Sequence, residues 1–227
     1  QQVITGNKTA PTFIIGEDGV TISGATPAVC GYQDGLVCAN ANFLNLSNMT
    51  IDAGSTHGQS SGSEIIGANV TFDHVNVHGT FVSLYPRGAA FTWRVGSLGK
   101  DGVNGGERSC NTGDGEPIWV DSSGATLDQI RFNSMSASGA ACSGSVDGFH
   151  LEYVRVQSAQ NVTISNSVFV NDAGTGNGAG SGKIFITSSS SSSSAANGLK
   201  LLGNTFGTVK GSYAIQTHAN VQNANGW

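Results

Sequence analysis

Hydrophobic and polar positions follow one short template that returns seven times along the chain. It reads apolar, any, apolar, two turn residues, apolar or small, any, apolar or small. The copies start at Val20, Leu44, Val70, Phe91, Ala125, Val162 and Leu199, so successive starts lie 24, 26, 21, 34, 37 and 37 residues apart. The copy from Leu44 runs Leu44-Asn45-Leu46-Ser47-Asn48-Met49-Thr50-Ile51, and the copy at Val20 is cut short by Pro27. Each half has a period of two, which puts alternate side chains on one face of a strand. A fixed template with variable spacing predicts one structural unit per copy, stacked on its neighbours, with insertions carried in loops.

The break between the halves needs residues that tolerate a left-handed backbone, and Asn48, Asn166 and Gly203 stand there. His74 also fits. Val95 does not, which predicts a slip of register in that copy. A third strand precedes most copies, at 81–85, 118–120, 154–156, 184–186 and 215–217. No segment has helical periodicity. An antiparallel sandwich would lack the shared internal template. The expected fold is therefore all-β: a single-stranded right-handed parallel β-helix of about seven to eight coils, three short strands each, forming one domain over 1–227.

Composition bounds the rest. Charged residues are 11% of the chain, glycine is 33 of 227, and the net charge is −5. With no basic run, nucleic acid is not an expected partner. No apolar stretch reaches the length of a membrane span. The first residue is Gln, and neither end offers an obvious cap, so the chain reads as a trimmed or partial one with end-to-end self-association among its expected partnerships. Four cysteines suggest two pairs. Cys30 and Cys38 bracket a short Gly-rich loop, and Cys110 and Cys142 precede equivalent Asp-Gly loops in successive copies. Disulfides Cys30–Cys38 and Cys110–Cys142 would each add about 2–4 kcal/mol and place the protein in a secreted, extracellular setting. A zinc site is the rival reading, without a CxxC pair to support it.

Long insertions at 99–116, 133–148 and 171–182 precede third strands and should wall a groove. Aligning those strands puts Trp119, Arg155, Phe185 and Gln216 in one outward row, with Tyr85 in the strand before. Asp121, Gln157, Thr187 and His218 form the row beside it. Trp119, Asp121, Phe185, Gln157 and Tyr85 are the candidate ligand contacts, since an aromatic beside an arginine can stack on and hydrogen-bond a sugar. Eight of the fifteen acidic residues lie between Asp101 and Glu152. Asp114 and Glu116 enter one coil; Asp147, His150 and Glu152 enter the next. With Arg155 and His218 they are the candidate catalytic set, because paired carboxylates can act as acid and base on a glycosidic bond. Each also has a plain structural reading, Asp-Gly as a turn and Glu–Arg as an ion pair. No cofactor is required; Ca2+ is a candidate ligand of the acidic cluster. Asp34 reads as a turn former in the small cysteine loop, and the serine run 188–194 as a protruding loop.

The unit Asn161-Val162-Thr163-Ile164-Ser165-Asn166-Ser167-Val168-Phe169 resembles the coil repeat of secreted right-handed parallel β-helix proteins of the pectin-lyase-like superfamily. The resemblance implies a groove on the first sheet beside long loops. Asp147-Gly148-Phe149-His150 is similar to an Asp-Gly-Val-His stretch of small pectate lyases. The motifs of the larger pectate lyases and of polygalacturonases are missing, so the likeness is to bacterial secreted β-helix repeat proteins and not to one enzyme family. What it implies is an extracellular protein that binds or cleaves a polysaccharide, as a lyase or glycoside hydrolase. The alternative is a non-catalytic, adhesin-like solenoid module of a cell surface or filament.

Overall fold

The computed structural model describes residues 2–6, 11–17, 19–23, 28–29, 34–35, 37–52, 63–78, 84–99, 118–133, 153–170, 182–187, 197–207 and 213–217. Among them all regular structure is β and there is no helix. Among these residues no helix is therefore long and apolar enough to cross a membrane.

The largest sheet contains the template copies. Its parallel order is β18 (Lys200–Leu202), β15 (Thr163–Ser165), β13 (Thr126–Phe132), β11 (Thr92–Leu98), β9 (Thr71–His78), β7 (Leu44–Asp52) and β2 (Thr12–Ile15). The second halves of the end copies are separate short strands: β3 (Thr21–Ser23) beside β7, and β16 (Val168–Phe169) and β19 (Thr205–Phe206) beyond β13. The third strands form two further parallel sheets. One is β1 (Gln2–Gly6), β6 (Val37–Ala41), β8 (Ser63–Ile65) and β10 (Tyr85–Pro86). The other is β12 (Ile118–Val120), β14 (Val154–Gln157), β17 (Gly182–Thr187) and β20 (Tyr213–Thr217). A parallel bridge from Leu84 to Ile118 joins them. The chain thus alternates between a third strand and a template copy from β6 onward. Among the described residues only β4 (Ala28–Val29) and β5 (Asp34–Gly35) pair antiparallel, and Asp34 lies in β5 opposite Val29 instead of in a turn.

Matching template positions become neighbours across strands. Leu46, Phe72, Trp93, Leu127 and Ile164 form one inward column. Ile51, Val77, Leu98, Phe132 and Phe169 form another, and Ile65, Val120, Val156 and Ile186 line the third-strand side; all of these are buried. The rings of Phe132, Phe169 and Phe206 stack nearly parallel at 4.2 and 4.8 Å, the separation that the strand spacing imposes.

The corner between the halves is left-handed in every full copy: Asn48, His74, Val95, Gln129 and Asn166 have φ between 49° and 58°, and Gly203 has 63°. Val95 therefore sits where the template puts it, and the expected slip does not occur. Arg94 pairs with Asp73 and Asp128, and Gly96 with Val75 and Ile130. Stacking on both neighbours overrides the local preference of a β-branched residue. Gly96 is required beside it, because a Cβ there would lie 2.1 Å from the Val75 carbonyl and 2.6 Å from the Trp93 indole nitrogen. That nitrogen donates to the same carbonyl at 3.0 Å.

The first copy differs from the sequence reading. Thr21–Ser23 pairs with Thr50–Asp52, the second half of β7, while Thr12–Ile15 pairs with Leu44–Ser47. Val20 thus opens a second half, its carbonyl accepting from the Thr50 amide, and the extra residues of this copy fall between Ile15 and Val20. A Val-Thr-Ile run fits either half of the template, which is why the pattern alone misassigned it.

Candidate functional site

Strands β10, β12, β14 and β17 place the candidate residues. Trp119 is directly opposite Arg155, Arg155 opposite Phe185, and Phe185 opposite Gln216. Gln157 is opposite Thr187. Ile118, Val120, Val154 and Val156 are buried, while Trp119, Asp121, Arg155 and Gln157 are part-exposed, so the row faces outward by simple alternation. Leu84 accepts a hydrogen bond from the Trp119 amide and Pro86 one from Asp121. These carry the row back to Tyr85 and put Arg87 beside Asp121.

The rings do not lie flat on the sheet. Tyr85 and Trp119 stack on each other at 5.0 Å and 30°. The Arg155 guanidinium lies 4.9 Å from the Trp119 centroid, from the strand on the other side, and Arg87 lies 5.5 Å from that of Tyr85. The faces of Trp119 are thus occupied by its neighbours in the row, and Tyr85 is only 4% exposed. Trp119, Asp121, Arg155 and Gln157 are the part-exposed members of the two outward rows. Among the described residues, the Trp119 Nε1–H donor and the Gln157 Oε1 acceptor are buried atoms with no hydrogen-bond partner.

Charge at the β8 end of the row is paired, Glu64 standing directly opposite Tyr85. Glu64, wholly buried on β8, accepts a 2.8 Å hydrogen bond from Arg87. Burial pushes the Asp121 carboxyl above the usual carboxylate value, against the pull of Arg87 and a hydrogen bond with the Tyr85 hydroxyl. The sequence reading missed Arg87 and Glu64. The available signal was alternation, since Arg87 stands two residues after Tyr85 as Asp121 stands two after Trp119.

Asp114, Glu116, Asp147, His150, Glu152 and His218 lie outside the described residues, as do Cys30, Cys110 and Cys142. Of Cys38, the backbone is placed between Val3 and Glu64. Of Phe185, only the backbone is described. Among the described residues no three His, Cys, Asp or Glu side chains are grouped to hold a metal ion.

A second polar set lies on the template sheet. Asp73 bonds Arg94 and His74 at 2.9 Å each. Asp128 accepts from Ser165, Asn166 and Gln129 at 2.6, 2.8 and 3.0 Å. Those bonds, the one from Ser165 first, hold the Asp128 carboxyl below the usual value. These groups satisfy one another across the rungs and present no converging site.

Comparison of this chain with protein-family models, with curated proteins and with solved structures finds no match in any of the three.

Proposed function

We propose that the chain winds as one right-handed parallel β-helix of about seven to eight coils, secreted and of the pectin-lyase-like kind, and that it binds a polysaccharide along the outer face of β12 and β14. One observation supports the binding reading above the rest. The Trp119 indole N–H and the Gln157 carbonyl oxygen lack partners on adjacent strands, beside the shifted Asp121 carboxyl. Leaving such atoms unpaired when buried is costly; both are covered in this structure, so a sugar would reach them as the side chains over them shift, its hydroxyls then accepting from the indole and donating to the amide. Hydrogen bonding to ring edges, instead of stacking on ring faces, is the mode this arrangement favours. Glycosidic cleavage by acid and base would need a second carboxylate near Asp121, for which Asp114, Glu116, Asp147 and Glu152 are the candidates, with His150 and His218 assisting and Ca2+ a candidate ligand.

The test is affinity electrophoresis and titration calorimetry against a panel of neutral and acidic polysaccharides, with Trp119→Phe and Gln157→Ala. Trp119→Phe removes the donor and keeps one aromatic ring against Tyr85, at the loss of the indole's five-membered ring. Each variant should weaken binding by roughly tenfold, the effect of one hydrogen bond of about 1.4 kcal/mol. Absence of binding across the panel, or variants that bind as the parent does, would reject this reading. The occupied ring faces specifically favour a second reading, a non-catalytic surface scaffold whose aromatic row is internal reinforcement.

A further inference from the structure

Among the described residues the template sheet ends at β2 and β18, and its outward columns change character at these two edges. One column runs Phe13, Asn45, Thr71, Thr92, Thr126, Thr163 and Lys200. Its neighbour runs Ile15, Ser47, Asp73, Arg94, Asp128, Ser165 and Leu202. Every inner rung of both columns is polar. At the β2 edge both positions turn apolar and exposed, with Phe13 and Ile15 each 66% accessible, and at the β18 edge Leu202 is 53% accessible. An unpaired parallel edge offers a row of free amide and carbonyl groups, which proteins ordinarily guard with charged or proline residues. Here β2 carries Phe, Ile and Ile instead.

We propose that the β2 edge of one molecule pairs with the β18 edge of a second copy of this chain, end to end, so that the template sheet continues across the junction. Three features choose this partner over an arbitrary strand. The inward column that ends at Ile14 begins at Leu201, and the one that ends at Ile22 begins at Phe206, so joined copies continue each column with an apolar neighbour. Leu201 and Phe206 are only partly buried at their open edge. In the outward columns Ile15 meets Leu202, and Phe13 meets Lys200, an aromatic ring opposite a cation. At the corner, the exposed Gly203 has no side chain to obstruct the longer corner that joins Ile15 to Val20 in the next copy. The contact joins unlike surfaces and has no built-in closure, so it makes rows and not dimers.

Ile15→Lys and Leu202→Lys each disable one edge, at side chains largely exposed in the single molecule, and circular dichroism and melting verify that each variant folds. Sedimentation velocity on the 227-residue chain should show the parent growing into longer species as concentration rises, while each variant alone stays a monomer. An equimolar mixture of the two variants should form dimers and nothing larger, because one intact edge of each kind remains. Phe13→Lys serves as a second variant of the β2 edge. A parent that stays monomeric at every concentration overturns the proposal. So does a Leu202→Lys variant that still associates alone, which would mean like edges meet face to face, and so does a mixture that remains monomeric.

Discussion

Val95 adopts the same left-handed corner as His74 on the adjacent strand, with φ of 53° against 55°. A β-branched residue in that region is strained by about 1–3 kcal/mol, and only the strands on either side hold it there. Val95→Asn, matching Asn48 and Asn166 in the same column, should therefore stabilise the fold by about 1 kcal/mol. Urea titration would register this as a raised midpoint with an unchanged slope. An unchanged or lowered midpoint would mean the Val95 side chain contributes more through packing than its backbone costs.

Glu64 is fully buried against a part-exposed Arg87. Replacing Arg87 with Met removes the guanidinium from a wholly buried carboxylate, and should destabilise by about 3 kcal/mol. Combining Arg87→Met with Glu64→Gln should restore most of that loss, since no charge then stays buried. A double-mutant cycle in guanidinium chloride measures the coupling; additive effects would show that the pair does not act as a unit.

Two aspartates should move acid stability in opposite directions. The folded value of Asp128 is lowered from 3.8 by its hydrogen bonds, so the fold holds this proton less tightly than the unfolded chain does. Its contribution is complete above 3.8 and is lost as pH falls through the lower folded value. Asp121 is raised from 3.8 by burial, so the fold takes up its proton first, and falling pH relieves the burial of its charge. Melting temperature followed from neutral pH to about pH 3 should fall less steeply in Asp128→Asn than in the parent, and more steeply in Asp121→Asn. The same slope in all three proteins would contradict both assignments.

Much of the arrangement was legible because stacking converts letters at equal template positions into neighbours. The Trp119, Arg155, Phe185 and Gln216 row and the left-handed corners at Asn48 and Asn166 follow from alignment alone. Strands β1, β6 and β8 did not, because β6 and β8 carry Ala, Ser or a buried Glu64 and none of the three shows enough alternation to register. Ring orientation at Trp119 was equally hidden. Alternation fixes which face of the sheet a side chain leaves from, but the tilt of the ring depends on the Tyr85 and Arg155 side chains packed on either side.

The register from which all of this follows can be tested with one engineered link. Thr92 and Thr126 are 34 residues apart in sequence and directly opposed on β11 and β13. Thr92→Cys with Thr126→Cys places two Cα atoms within the roughly 4.4–6.8 Å that a disulfide spans, whereas Thr92→Cys with Asp128→Cys sets them one outward position out of step. Peptide mapping by mass spectrometry under non-reducing conditions should find the 92–126 link and not the 92–128 link. The reverse result, or no link in either protein, would contradict the stacked register and the outward row built on it.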